Sequence, residues 1–134
     1  MKNKSKIKPQ IPSTSLSIGN VKSTVSFGFS ELREYSYVNE NTNGKFFIEF
    51  LDRLKKLSAI DWNTINVSAR HSFGTEKISV KNLTESAQNL VPAGMKSLLV
   101  LRATGDNHAF LGYRDGNIFQ IIFIESQFGD VYKH

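Results

Sequence analysis

The sequence predicts an α+β domain with an N-terminal strand, two helices and then a three- to four-stranded antiparallel sheet. Three patterns indicate this class. Apolar and small polar residues alternate early in the chain, apolar residues then recur at helical spacing, and the last third holds strand-like runs separated by turn residues. We expect residues 1–20 to be a flexible basic segment and 21–134 to be a single domain, which is long enough for one hydrophobic core.

The first half of the chain predicts one strand and two helices. Apolar and small polar residues alternate in 25–29, which is typical of a half-buried strand that can extend to Leu32. In 45–57, phenylalanines and leucines, among them Leu51, form one apolar face opposite charged residues, which indicates an amphipathic helix. Asp61 is suited to cap a second, shorter helix that begins at Trp62.

The second half predicts the remaining strands. Alternation in 77–81 favours a short strand, and 84–94 reads as a loop or a weak helical turn. The continuous apolar run 98–101 is typical of a central strand that is buried on both faces. Gly-Asp-Asn at 105–107 predicts a turn after this strand.

The last two strands are predicted to form a hairpin. Asp115-Gly116 is the strongest turn signal in the chain and predicts a two-residue type I′ turn, with Arg114 opposite Asn117. The final strand is then 118–124. Large apolar residues would fall on both faces of this hairpin. The helices cover one face, and the other is either a shallow apolar cleft or is covered by the N-terminal segment.

Composition limits the compartment and the partners. The chain has no cysteine, no apolar run near the roughly 20 residues of a membrane span, and no apolar stretch typical of a signal peptide, so we predict a cytoplasmic protein with no membrane partner. The net charge is +5, but lysines at positions 2, 4, 6 and 8 supply four of these charges. The rest of the chain is nearly neutral. The lysines either keep the terminus soluble or attract phosphates.

No common catalytic or metal-binding motif is present. The sequence lacks the glycine-rich nucleotide-binding patterns, the serine-hydrolase motif GxSxG and the zinc motif HExxH. His71, His108 and His134 are far apart, and no acidic partner is expected beside them at metal-ligand spacing. The sequence therefore predicts no metal site and no cofactor.

Basic and aromatic residues on the strands and at the C-terminus remain as candidates for chemistry. Arginine and lysine can stabilise the charge of a phosphorane, and histidine or tyrosine can move protons, so such a set suits metal-free RNA cleavage by the 2′-hydroxyl. Each residue taken singly is equally well explained as a solvated surface charge. The set comprises Arg70, His71, Lys77, Arg102, Arg114, Tyr132, Lys133 and His134.

The element order and the ending FIESQFGDVYKH resemble the RelE/ParE-like toxin superfamily of bacterial toxin–antitoxin systems, over residues 21–134. The resemblance implies a metal-independent endoribonuclease toxin that binds RNA, in many cases ribosome-bound mRNA, and has a cognate antitoxin as protein partner. It implies catalytic roles for Arg102, Arg114, Tyr132 and His134, and leaves Arg70, His71, Lys77 and Lys133 as RNA-binding candidates.

A non-catalytic protein-binding module, such as a phage-defence, inhibitor or immunity protein, is the alternative. It would bind through the apolar face of the sheet, and the nearly neutral body favours it. A third hypothesis is simple nucleic-acid binding by the lysine-rich segment, which would depend steeply on salt.

Overall fold

The computed structural model describes residues 23–68 and 73–133. The predicted flexible segment 1–20 lies outside these ranges. The elements in chain order are β1 (Ser26–Gly28), α1 (Gly44–Leu57), α2 (Trp62–Val67), β2 (Glu76–Ser79), a 3-10 turn (Val80–Asn82), α3 (Glu85–Gln88), β3 (Ser97–Arg102), β4 (Ala109–Asp115) and β5 (Ile118–Ile124). The α+β class is confirmed.

The strands form one five-stranded sheet in the order β1-β5-β4-β3-β2. The last four strands in sequence pair antiparallel, as predicted, but β1 joins the same sheet parallel to β5, with Phe27 opposite Phe119. The predicted purely antiparallel sheet of three to four strands is therefore wrong in strand number and in direction. β1 also ends before Leu32, because the chain turns where the Leu32 N–H donates to the Phe29 carbonyl.

Both longer helices begin at side-chain caps. The Asn43 side chain accepts a hydrogen bond from the Lys45 N–H, and Asp61 accepts one from the Thr64 N–H, each at 2.8 Å. These bonds satisfy donors that a helix start leaves open. The two predicted helices are confirmed. Among the described residues, no helix combines the length and apolar character needed to cross a membrane.

The first apolar cluster lies between these helices and one face of the sheet. Phe46, Phe50 and Trp62 are buried against Phe110 and Phe119 of the central strands. The rings of Phe50 and Phe110 lie 5.1 Å apart between centroids, at a T-shaped angle. The aromatic residues of the helices are thus core residues, as predicted.

Leu51 does not belong to this cluster, although the sequence predicts it on the apolar face of α1. Its side chain is 64% exposed, and that of Ile48 is 70% exposed. Leu51 follows the buried Phe50 by one residue, which rotates it by about 100° around the helix. The inward stripe is therefore narrower than the hydrophobic pattern indicates.

The second cluster lies on the opposite face of the sheet. Leu83 and Val131 pack with Leu111, Phe123 and other buried residues of the strands. The segment around α3 and the C-terminal residues cover this face, and Leu83 forms an isolated antiparallel bridge with Tyr132. The predicted open cleft is wrong, because these residues are buried, and the predicted cover by the N-terminal segment lies outside the described residues.

The hairpin between β4 and β5 differs from its prediction by one position in the turn. Asp115 pairs with Ile118, so Gly116 and Asn117 form the loop, and Arg114 lies opposite Phe119. Of the two loop residues only Gly116 has a positive φ, +64°. A positive φ at the first central position alone is the pattern of a type II′ turn, not of type I′.

A bulge shifts the register of the same hairpin between Leu111 and Gly112. A Cβ atom on Gly112 would overlap the backbone carbonyl of Gln120. Glycine therefore permits the close approach of the two strands at this position.

Candidate functional site

A polar groove of about 320 Å³ opens between the start of α1 and the turn that joins β3 to β4. Its walls come from three separate segments of the chain, which are the N-terminal half of α1 with the residues before it, the β3–β4 turn, and the residues after β5. We call it the His108 groove, and it is lined by Asn41, Asn43, Lys45, Phe46, Glu49, Thr104, Asp106, His108, Ser126 and Gln127.

The β3–β4 turn positions the titratable groups of this groove. The Ala103 N–H donates to the His108 carbonyl at 2.8 Å, which closes the turn. Asn107 has a φ of +75°, a conformation that asparagine adopts more readily than most residues. Arg102 Nη1 donates to the Asn107 carbonyl at 3.2 Å and holds the turn from the β3 side. The turn predicted from the sequence is confirmed.

Asp106 and His108 form a hydrogen-bonded pair inside this turn. The Nδ1 atom of His108 lies 2.6 Å from Oδ1 of Asp106. The hydroxyl of the buried Thr104 donates to the same carboxylate oxygen. An ionised carboxylate only accepts hydrogen bonds, so Nδ1 carries the proton and the neutral ring keeps its lone pair on Nε2.

Hydrogen bonding lowers the pKa of Asp106 below its ordinary value. The bond from Thr104 is the main cause and the bond to His108 the second, while partial burial opposes them. The carboxylate is therefore ionised at neutral pH. A fixed negative charge beside Nδ1 holds the imidazole in one orientation.

Two phenylalanines flank the imidazole of His108. The ring of Phe46 lies 5.4 Å and that of Phe128 lies 6.2 Å from the imidazole, measured between centroids, both edge to face. Nε2 forms no hydrogen bond with any residue in 23–68 or 73–133. The ring is thus fixed by its neighbours and by Nδ1, and Nε2 is the nitrogen that can exchange a proton with a bound molecule.

A second groove, of about 460 Å³, adjoins the first and shares Glu49 and Thr104 with it. We call it the Arg53 groove. The guanidinium of Arg53 lies 5.3 Å from the centroid of the Phe73 ring. Burial lowers the pKa of Arg53, the carboxylate of Asp52 opposes this shift, and the positive charge of Arg102 adds to it.

Most cations along α1 have an acidic neighbour. Lys45 lies 4.0 Å from Glu49, and Lys56 lies 3.0 Å from Asp52, measured from the ammonium nitrogen to the nearest carboxylate oxygen. Both pairs are solvent-exposed, so each contributes little to stability. The two grooves together are close to neutral and do not form a broad basic surface.

The His108 groove offers a proton acceptor but no activated nucleophile of its own. Thr104 Oγ1 lies 3.3 Å from Nδ1, the nitrogen that already faces Asp106, and not at Nε2. A serine-hydrolase-like arrangement needs the hydroxyl at the opposite nitrogen. Within the described ranges, no three histidine, cysteine, aspartate or glutamate residues are grouped to hold a metal ion.

No family model, curated protein or solved structure matches this chain. The resemblance to RelE/ParE-like toxins therefore stays a prediction. The functional proposal therefore depends on the residues that line the two grooves.

The predicted catalytic residues do not lie together. Arg102 ends β3 and holds the turn of the His108 groove. Arg114 lies near the other end of β4, roughly 20 Å from His108 along the strand, with its guanidinium 4.7 Å from the Trp62 ring centroid. Tyr132 is buried in the cluster on the opposite face of the sheet.

The predicted RNA-binding residues are also dispersed. Lys77 lies exposed on the edge strand β2, opposite Leu99. Lys133 is exposed, and its N–H donates to the Asn82 carbonyl at 3.0 Å. Three predicted residues, Arg70, His71 and His134, lie outside the described residues.

The sequence predicts no acidic partner for the histidines at metal-ligand spacing, but His108 has an acidic partner of another kind. Asp106 is only two positions away, and the turn at 105–107 folds it back onto the imidazole. The signal was present in the sequence as an acid-x-histidine pair inside a predicted turn. Metal-ligand spacing does not reveal this pair, because the two side chains meet by a hydrogen bond across a tight turn.

Proposed function

We propose that this chain is a metal-independent endoribonuclease in which His108 is the catalytic base. The observation that carries this proposal is the 2.6 Å contact between Asp106 and Nδ1, which assigns the lone pair of the imidazole to Nε2. The groove lacks an activated side-chain nucleophile among its described residues. RNA suits such a site because its own 2′-hydroxyl is the nucleophile.

The reaction needs one proton transfer to His108. Nε2 takes the proton of the 2′-hydroxyl while the O2′–P bond forms and the P–O5′ bond breaks, which leaves a 2′,3′-cyclic phosphate. The departing 5′-oxygen takes a proton from water in the open groove, and the hydroxide that remains takes the proton back from Nε2, which restores neutral His108. Asp106 acts as a positioning residue, because its charge stabilises the imidazolium and holds the ring in one tautomer.

Lys45 is the cation best suited to the scissile phosphate. It lines the same groove as His108, and its contact with Glu49 is long at 4.0 Å, so its flexible side chain can move towards a phosphoryl oxygen. Lys45 is the only lysine or arginine among the residues that line this groove, so the groove suits a single phosphate better than a duplex backbone. The lysines at positions 2, 4, 6 and 8 add a general attraction to RNA.

Cleavage of a fluorescent single-stranded RNA, with EDTA present, tests the proposal. We expect His108→Ala to lower the rate about 100-fold or more, since general base catalysis contributes on that scale. Lys45→Ala should raise KM, whereas Lys55→Ala, a matched change elsewhere on α1, should not. The same sequence made as DNA should stay intact. Cleavage by His108→Ala at the wild-type rate would exclude this site.

The residues implied by the family resemblance give a competing assignment. That assignment predicts loss of cleavage in Tyr132→Phe and Arg114→Ala, whereas catalysis by His108 predicts that both variants keep the rate of the wild-type protein. The buried position of Tyr132 and the contact of Arg114 with Trp62 favour the second outcome.

A toxin of a toxin–antitoxin system is the biological role that this activity would fit. Expression of the wild-type chain in bacteria would then arrest growth, and expression of His108→Ala would not. The cognate antitoxin would be the protein partner, and co-expression of the partner should restore growth.

A protein-binding module is the second candidate function, and one observation favours it. Ile48 and Leu51 lie almost one turn apart on α1 and are both largely exposed, which places an apolar spot beside the Arg53 groove. This candidate predicts a tight protein complex that Leu51→Glu disrupts, together with no RNA cleavage by the purified protein.

A further inference from the structure

We infer that the free edge of β2 binds an extended acidic peptide segment of a partner protein, which adds a strand to the sheet. β2 is the last strand in the order of the sheet and pairs with β3 on one side only. A strand edge of this kind leaves backbone hydrogen-bonding groups that another extended chain can satisfy. Such binding goes beyond RNA cleavage and does not depend on His108.

The opposite edge of the sheet is less accessible. β1 has only three residues, and the chain beside it is already engaged. The Val25 N–H donates to the Ile60 carbonyl at 3.0 Å, and Thr24 forms an isolated bridge with Asp61. Within 23–68 and 73–133, no strand or bridge lies on the outer side of β2. β2 is therefore the edge that an added strand can reach.

The hydrogen-bond pattern shows which backbone groups of β2 face outward. The Val80 N–H donates to the Lys96 carbonyl at 2.9 Å, which makes these two residues a hydrogen-bonded pair of the antiparallel ladder. Bonded and non-bonded pairs alternate along such a ladder, so the pairs that Lys77 and Ser79 form with β3 are non-bonded. The N–H and C=O groups of Lys77 and Ser79 therefore point out of the sheet, and they bond to no described residue.

Four exposed lysines surround this edge, away from the His108 groove. The Lys96 carbonyl accepts the bond from Val80, and the Lys133 N–H donates to the Asn82 carbonyl at 3.0 Å, so both adjoin the 3-10 turn that contains Lys81. None of the four ammonium groups forms an ion pair with a described carboxylate. We call these residues the β2-edge lysines, and they are Lys77, Lys81, Lys96 and Lys133.

Two carboxylates that are close to these lysines in the sequence face elsewhere. Glu76 alternates with Lys77 along β2, so its side chain lies on the other face of the sheet. The carboxylate of Asp130 accepts a hydrogen bond from the Ser36 hydroxyl at 3.0 Å. A strand that carries aspartate or glutamate would therefore meet lysines that have no ion pair within the described part of the chain.

Backbone and charge together select the occupant. An extended acidic peptide supplies N–H and C=O groups for the edge and carboxylates for the lysines. A phosphate backbone supplies only acceptors, so it would leave the carbonyls of Lys77 and Ser79 unmatched. A second copy of this chain is less suited, because pairing of two β2 edges would bring their lysines against each other.

A proline at the edge tests the backbone contacts. The probe is a fluorescent ten-residue peptide in which threonine and glutamate alternate, and the dissociation constant is read from anisotropy. Ser79 has a φ of −74°, which suits proline, so Ser79→Pro removes the outward N–H without strain. We expect it to weaken binding about 3- to 10-fold. Ser79→Ala also lacks the hydroxyl but keeps the N–H, and it should bind like the wild-type protein.

A charge reversal tests the lysines independently of the backbone. Lys77→Glu should weaken binding of the same peptide about 2- to 5-fold. Lys55→Glu is the matched control, because it changes the net charge equally at an exposed position of α1. It should leave the dissociation constant unchanged. A peptide with lysine in place of glutamate should bind more weakly than the acidic probe.

The outcomes distinguish the possible occupants and leave cleavage by His108 aside. No binding of the acidic peptide, or equal binding by Ser79→Pro and Ser79→Ala, would overturn the added strand. A single-stranded RNA that binds more tightly than the peptide, with no effect of Ser79→Pro, would assign the lysines to nucleic acid instead. A wild-type dimer in sedimentation that Ser79→Pro separates would make a second copy the occupant and would also overturn the acidic partner.

Discussion

The face of the sheet that Leu83 and Val131 cover, which we call the closed face, differs from the β3–β4 turn, which we call the open side, in how its carboxylate is used. On the closed face, Glu125 is completely buried and accepts hydrogen bonds from the N–H groups of Val131 and Tyr132, at 3.0 and 3.3 Å. On the open side, Asp106 is 72% exposed and binds His108. The first carboxylate fixes the backbone of the C-terminal residues, and the second orients a side chain that can change its charge.

This difference explains why the residues near the C-terminus are unsuited to exchange protons with a substrate. Tyr132 is held by Glu125 and by its bridge to Leu83, so its surroundings serve packing. A group that exchanges protons with a substrate has to meet solvent, as the rim of the His108 groove does. The comparison therefore assigns stability to the closed face and reactivity to the open side, and the following variants test that division.

The largest expected effect is on the closed face. Leu83 is fully buried, so Leu83→Ala removes apolar contacts and leaves a cavity, and we expect a loss of about 3 kcal/mol in the free energy of unfolding. Leu51→Ala is the matched control on the exposed side of α1 and should change it by less than about 0.5 kcal/mol. Urea denaturation measures both. Equal losses would mean that packing on the closed face contributes no more to stability than an exposed side chain of α1.

An intermediate effect is expected at the buried carboxylate. Glu125→Ala leaves the N–H groups of Val131 and Tyr132 without this acceptor, at a cost of about 2 kcal/mol. Amide hydrogen exchange should become faster at these two residues before it does so in β4. Asp106→Ala should cost less, because its side chain is largely solvated. If Glu125→Ala exchanges like the wild-type protein, Glu125 does not hold the C-terminal segment.

Local patterns in the sequence predicted the features that depend on interactions between nearby residues. The helix at 45–57, the cap at Asp61 and the turn at 105–107 depend on neighbours within a few residues, and the structure contains all three. The interior position of the strand at 98–101, between β4 and the edge strand β2, also follows from its continuous apolar run. Amphipathic spacing nevertheless misplaced Leu51, because the pattern does not give the width of the buried stripe.

Long-range features could not be predicted in the same way. The pairing of Phe27 with Phe119 joins residues from opposite ends of the domain, and no local signal indicates its parallel direction. The register also shifts at the bulge between Leu111 and Gly112, where Gly112 lies close to the backbone of Gln120, and spacing alone does not reveal this contact. The groove around His108 likewise combines three distant segments, so only its Asp106–His108 pair was visible in the sequence.

The smallest expected effect is the pH dependence of the stability that Asp106 contributes. The folded pKa of Asp106 lies below its ordinary value, so its carboxylate adds stability at neutral pH, and this contribution is lost as the pH falls through that lowered pKa. The difference in melting temperature between the wild-type protein and Asp106→Asn should thus be constant from neutral to mildly acidic pH and shrink in stronger acid. Thr104→Val removes the main cause of the shift and should weaken this dependence. A difference that stays constant into strong acid would mean that Asp106 is not held by Thr104 and His108, and the orientation of the imidazole would then need another source.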